Sequence, residues 1–127
     1  MEEKISGKGA VGIAIAYYSL RGMVSIPLSP CAYNLLFDDG KDIYKINVIS
    51  CSYKTKYGVY TAAIRTMGGN HPGQVCKKFD PSTCDIVFIV TNEFDIFAIP
   101  SSEIKSERQI SLSVYEEYKI RFLGGIA

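Results

Sequence analysis

The sequence is poor in the residues that usually announce chemistry. Its 127 positions hold a single histidine, His71, and four cysteines with no Cys-x-x-Cys pair. A lone histidine beside Pro72 reads as a solvated or DNA-contacting side chain rather than a general base. Cys31, Cys51, Cys76 and Cys84 stand 20, 25 and 8 positions apart. Without a secretory leader they read as buried thiols, not as a disulfide framework. A zinc site would have to draw on these four and His71, and the spacing offers no compact knuckle. No cysteine has a histidine near it in sequence for nucleophilic catalysis. Gly68-Gly69 is not followed by the Gly-Lys-Ser or Gly-Lys-Thr of a phosphate-cradling loop. No apolar run approaches the roughly 18–20 residues that span a bilayer, and Met1-Glu2-Glu3-Lys4 does not open a signal peptide. The expectation is a cytoplasmic protein with no membrane partner. Repeats, linkers and low-complexity tracts are absent as well, so one domain over 1–127 is expected.

What is present is an ordinary globular composition with an uneven charge. Hydrophobic residues at 47% and charged residues at 21% exclude wholesale disorder and leave enough apolar surface for a core. The net charge of +1 does not by itself announce a nucleic-acid binder. Its distribution is more informative. Residues 1–40 carry three basic and four acidic groups, a net of −1. Residues 41–78 carry Lys41, Lys45, Lys54, Lys56, Arg65, Lys77 and Lys78 against Asp42 alone, a net of +6. Residues 79–127 carry four basic and eight acidic groups, a net of −4. A basic block of this kind is the electrostatic footprint of a phosphate-contacting surface. The structural counterpart is a solvated sheet edge whose lysines prevent aggregation.

Periodicity predicts one helix over residues 8–22, with Val11, Ile15 and Tyr18 at helical spacing, Ser6 as N-cap and Gly22 as stop. Gly9 and Gly12 weaken that helix by about 1 kcal/mol each, and close approach of its backbone to a sheet is their expected use. The remainder reads as strands: Met23–Ile26, Tyr33–Phe37, Ile43–Ser50, Val59–Thr66, Ile86–Thr91 and Phe94–Ile99. Edge strands are expected at Ile110–Leu112 and Tyr118–Phe122. Asp38-Asp39-Gly40 reads as a turn, Asn92-Glu93 as a tight hairpin ended by Pro100, and Met67–Gln74 as a loop. Ser101 and Ser102 are expected to cap a helical turn over Glu103–Lys105. Tyr17, Tyr18, Tyr115 and Tyr118 read as core or interface residues rather than base-stacking ones. The fold class is α+β, one main N-terminal helix packed on a mixed β-sheet with additional β-hairpins.

Several stretches in order carry a resemblance: Gly9-Ala10-Val11-Gly12-Ile13-Ala14, Tyr33-Asn34-Leu35-Leu36-Phe37-Asp38-Asp39-Gly40 and Tyr44-Lys45-Ile46-Asn47-Val48-Ile49. Tyr53-Lys54-Thr55-Lys56-Tyr57-Gly58-Val59-Tyr60, Lys77-Lys78-Phe79-Asp80-Pro81, Phe88-Ile89-Val90-Thr91 and Ile99-Pro100-Ser101-Ser102-Glu103-Ile104 continue it. Together, over roughly residues 8–122, the chain resembles the PD-(D/E)XK nucleases of the group I intron homing endonuclease branch. The resemblance implies a restriction-endonuclease-like core, DNA as partner and assembly of copies into a dimer or tetramer. It also implies an acid on the first helix, an Asp on the first hairpin arm, and a Glu or Gln followed two residues later by Lys on the second arm. Alternate residues of a strand share a face, which is why that last pair sits two apart. The acids would hold magnesium, a hard cation that wants oxygen ligands, and the metal and lysine would activate water.

At those four positions this chain has Ile13, Asn34, Asn47 and Ile49. Two amides and two aliphatic chains bring no negative charge, so the resemblance implies a nuclease silent at its catalytic positions, with no metal cofactor. A relocated magnesium site would have to use Asp38 and Asp39, and Asp38, the nearer, lies about 13 Å along an extended strand from Asn34. Three readings follow: a DNA-binding module, a protein-interaction or inhibitory subunit that joins or blocks an active nuclease, and an endonuclease with a relocated site. For the first, the DNA-binding candidates are Lys45, Lys54, Lys56, Arg65, Asn70, His71, Lys77 and Lys78. Lysines would contact phosphates, while Arg65 and Asn70 suit bidentate contacts with guanine and adenine.

Overall fold

Ser6 starts the helix as its sequence suggests: its hydroxyl accepts the Gly9 backbone N–H at 2.9 Å. In the computed structural model, which describes residues 4–28, 32–64 and 78–123, helix α1 spans Gly7–Ser19. It stops three residues earlier than periodicity predicts. The Tyr18 carbonyl takes the N–H groups of Arg21 and Gly22 at 2.9 and 3.0 Å, which tightens the last turn. Gly22 therefore lies beyond the helix, and its role is steric. A Cβ there would sit 2.3 Å from the Asp38 carbonyl oxygen. Gly9 and Gly12 are not the close-approach residues expected above. A Cβ on Gly12 meets nothing within 4 Å, and one on Gly9 meets only Ser6 and Ile5. Ala10 and Ala14, both fully buried, take the helix onto the sheet instead. Gly12→Ala is expected to stabilise the protein by about 0.5–1 kcal/mol, read as a higher thermal midpoint.

Strands β1 (Met23–Ser25), β2 (Leu35–Asp38), β3 (Ile43–Cys51), β4 (Thr61–Ala63), β5 (Ile86–Thr91), β6 (Ile96–Pro100), β7 (Gln109–Ser111) and β8 (Lys119–Ile120) follow. Six form one mixed sheet in the order β1-β2-β3-β5-β6-β8, in which only β3 and β5 run parallel. β4 pairs with β7 in a separate ribbon, Thr61 opposite Ser111. The expected strand over Val59–Thr66 is thus shorter, with Arg65 and Thr66 outside the described residues. A 3₁₀ run over Leu112–Tyr118, kinked at Tyr115, links β7 to β8.

Period-two alternation on β5 divides the core. Phe88 and Val90 join Ala10, Ala14, Tyr17, Tyr18, Leu35 and Ile46 on the helix side. Val87 and Ile89 join Cys51, Ile64, Phe79, Cys84, Ile99 and Leu112 on the other. Because both faces of β5 are covered, its apolar residues run unbroken instead of alternating. Tyr17 and Tyr18 are core residues, their rings 5.5 and 5.3 Å from Phe88, as expected. Cys51 and Cys84 are buried free thiols, and burial, with Asp85 and Asp80 nearby, pushes Cys84 up to about 11. Cys31 and Cys76 lie outside the described residues.

Ser101 does not cap a helical turn. Its hydroxyl donates to the Cys84 carbonyl at 2.6 Å, clasping the end of β6 to the start of β5, and the 3₁₀ turn is Ser101–Glu103. The β5–β6 connection also differs from a two-residue hairpin. Phe94 N–H reaches the Thr91 carbonyl and Thr91 N–H reaches Asp95, both at 2.9 Å, with Phe94 at φ 64°. This is a three-residue loop, a tight turn followed by a left-handed residue. Asn92-Glu93 lacks the glycine that a two-residue turn with positive φ wants, so the chain places the left-handed residue one position later. For a bulky residue that conformation costs about 1–2 kcal/mol.

Candidate functional site

Three of the four positions that the nuclease resemblance marks lie around β3. Asn47 and Ile49 share the β3 face that carries Lys45, and Ile49 packs with Tyr33 against the cluster away from the helix. Asn34 sits just before β2 and extends its ladder twice over. Its backbone N–H donates to the Ile46 carbonyl at 3.0 Å. Its side-chain Oδ1 accepts the Val48 N–H at 2.7 Å, and its Nδ2 donates to the Val48 carbonyl at 3.3 Å. The amide thus behaves as one more peptide unit of the sheet, an arrangement that needs a donor and an acceptor on one planar group. Ile13 packs on the opposite face, against the helix-side cluster.

Asp38 and Asp39 serve the β2–β3 turn. Asp38 Oδ1 accepts the Gly40 N–H at 2.8 Å. Asp39 Oδ1 accepts Asp42 and Lys41 N–H at 2.9 and 2.8 Å, and these two bonds hold its carboxyl below the usual range. Among the described residues, no three His, Cys, Asp or Glu side chains gather as a metal-binding group.

The described basic candidates fall into two groups at opposite ends of the sheet. Lys45 lies at the end where its N–H and carbonyl bond Asp85, with its ammonium 5.6 Å from the Tyr33 ring centre. Lys78 belongs to the same end and pairs with Glu107 at 3.3 Å. Lys54 and Lys56 lie nine and eleven residues beyond Lys45 along the chain, past the other end of β3, where Lys54 meets the β5–β6 turn. Lys54 pairs with Glu93 and lies 4.8 Å from the Tyr60 ring, and Lys56 lies 5.2 Å from the Tyr57 ring. Arg65, Asn70, His71 and Lys77 lie outside the described residues.

Glu93 joins Lys54 to Tyr60, whose hydroxyl donates to it at 3.1 Å. Lys54 first and Tyr60 second hold this exposed carboxyl below the usual glutamate range. A depressed folded value means the pair supports the fold above the ordinary glutamate pKa and is lost as pH falls through the lower folded value. In an NMR titration, the Glu93 carboxyl is expected to titrate below ordinary glutamates and to move upward in Lys54→Ala. The contribution of Glu93, and of exposed Phe94 next to it in the chain, was not legible in the sequence. The missing glycine in Asn92-Glu93-Phe94 was the one signal that the turn is unusual.

One long helix laid on a mixed sheet whose central pair is parallel, with antiparallel hairpins around it, defines an endonuclease-like fold. It is shared by a solved bacterial homing endonuclease, I-Ssp6803I, with a TM-score of 0.67 and 24% identity over 84% of this chain and 74% of that one. At this identity the likeness is one of fold. No protein-family model matches the chain, and no curated protein matches it in sequence. No helix among the described residues is long and apolar enough to cross a membrane.

Proposed function

We propose that this chain is a DNA-binding module on a PD-(D/E)XK nuclease fold, silent as a nuclease at Ile13, Asn34, Asn47 and Ile49. The observation that carries the silence is the pair of bonds between Asn34 and the Val48 backbone. Magnesium keeps its water unless anionic oxygens replace it. Here the amide oxygen at the metal-ligand position already accepts an N–H, Ile49 is turned into packing, and neither residue is charged. These residues do not fit the metal, so no hydrolytic step is derived through one. DNA as partner rests on the fold neighbour's being a homing endonuclease and on the +6 block of residues 41–78. The nuclease resemblance carried by the sequence implies assembly of copies into a dimer or tetramer on the DNA.

The described lysines at 45, 54, 56 and 78 would contact phosphates. Ion pairs of Lys54 and Lys78 with exposed carboxylates are weak enough to exchange for phosphate. Four such contacts give a slope of about −3.6 in log affinity against log salt, a several-hundred-fold loss from about 50 to about 300 mM. Fluorescence anisotropy of a labelled duplex reads this directly. Lys56→Ala is expected to lower the slope by about 0.9 whatever the sequence of the duplex. Binding indifferent to salt would overturn the reading.

One observation favours a protein-interaction subunit as the second reading: the β1 edge of the sheet leaves Met23, Ile26 and Leu28 exposed. Recovery of a protein partner with no shift of any duplex would select it.

A further inference from the structure

Two hairpin tips at one end of the sheet follow a single plan. In the first, Gly58 N–H reaches the Thr55 carbonyl at 2.9 Å and Thr55 N–H reaches Val59 at 2.8 Å, with Gly58 at φ 79°. In the second, Thr91, Phe94 and Asp95 repeat these bonds, with Phe94 at φ 64° in the glycine's place. The tips are stitched together by the Lys54–Glu93 pair, the Tyr60–Glu93 bond and the Asn92 N–H on the Cys51 carbonyl at 3.0 Å. Gly58 and Glu93 both border one open cleft of about 270 Å³. Buried Thr91 fixes the second turn further, its hydroxyl accepting the Asp95 N–H at 3.0 Å.

Within this rigid frame the side chains that stand out are aromatic. Tyr57 is 80% exposed and Phe94 67%. Phe94 gains little from burial there, and its backbone conformation is the one a bulky side chain disfavours. The fold alone therefore gives no reason for phenylalanine where glycine serves the sister turn. Local strain held by an over-determined frame points to a function for the side chain. The charge on the first tip fits an anion: the Lys56 ammonium lies 5.2 Å from the Tyr57 ring centre.

We propose that Tyr57 and Phe94 are stacking posts for DNA bases, with Lys56 holding the adjoining phosphate. This rests on the DNA-binding reading and deepens it. Aromatic faces stack on any base, and apolar side chains inserted at a base step open it. Such contacts add affinity without adding salt dependence, unlike the lysines.

The chain contains no tryptophan, so Phe94→Trp creates a single fluorescent reporter at the tip. Its emission is expected to be quenched by an unlabelled duplex along the same binding curve that anisotropy gives for a labelled one. Phe94→Gly is expected to raise the thermal midpoint by a few degrees by removing the strain. It should also weaken DNA binding roughly tenfold with an unchanged salt slope. Opposite signs in stability and binding are what a purely structural residue would not give. Tryptophan emission unchanged while the duplex is bound, or full affinity in Phe94→Gly, would overturn the inference and leave the DNA-binding reading standing. A blue shift of emission with protein concentration in the absence of DNA would also overturn it, assigning the tip to contact between copies. A wild-type chain that binds no duplex would defeat the DNA-binding reading itself.

Discussion

Gly22→Ala is expected to lower stability by about 3 kcal/mol or more, a drop of roughly 10 °C or more in thermal midpoint. The added methyl would lie 2.3 Å from the Asp38 carbonyl oxygen, 2.9 Å from Phe37 Cε1 and 3.2 Å from the Asp38 carbonyl carbon. Two of those three atoms are backbone, and a side-chain rotation cannot move them. Asp38 is held on both sides, paired with Met23 on β1 and with Ile43 on β3. Phe37 is held by its ring contact with Tyr18, 4.6 Å between centres. Relief must therefore come from displacing β1, which opens the sheet edge, or from lifting the end of α1. Gly12→Ala, made in open space within α1, moves stability the other way, so the two variants together separate steric need from helix propensity. An unchanged midpoint in Gly22→Ala would mean that the α1–β1 connection approaches β2 less closely than described.

Asn34→Asp is expected to cost about 2–3 kcal/mol and to produce no nuclease. The substitution keeps the shape and supplies the acid that the nuclease resemblance calls for. It also removes the Nδ2 donor and sets a carboxylate oxygen against the Val48 carbonyl, now 3.3 Å from Nδ2. An acceptor facing an acceptor in a half-buried ladder loses a hydrogen bond and leaves both groups poorly satisfied. The charge brought in gains no partner from position 49, where Ile49 stands in place of the lysine that the resemblance implies. Denaturant unfolding checks the cost as a lower midpoint concentration at constant slope. A variant as stable as the wild type would show that the Val48 bonds contribute nothing, and with them would go the reason for silence offered above.

Elements defined by local pattern were legible, and those defined by distant partners were not. Ser6 as cap, α1, β3 and β5 follow from side chains next to one another in sequence, and all four stand in the structure. β4 reads as a longer strand because alternation reports a buried face, not a pairing partner, and its partner β7 lies nearly fifty residues downstream. Gly22 was legible as a break but not as a close approach, because Asp38 comes to it only through the sheet. Asn34 was legible only as an uncharged amide, since nothing in the sequence places the Val48 backbone against it. Phe94 looked like the start of a strand because its side chain favours strands, while its backbone was decided by the turn. The basic block was visible as a count. Its division between the Lys45–Lys78 end and the Lys54–Lys56 end required the fold.

The central claim, that Asn34 and the residues around it give a divalent cation no reason to shed its water, is tested most directly by cleavage. Supercoiled plasmid is incubated with saturating wild-type chain in magnesium and, separately, in manganese, and nicked and linear forms are measured against time. The account predicts plasmid that stays supercoiled while bound protein retards it. Nicking that needs the metal, is stopped by a chelator and disappears in Asn34→Ala would contradict it.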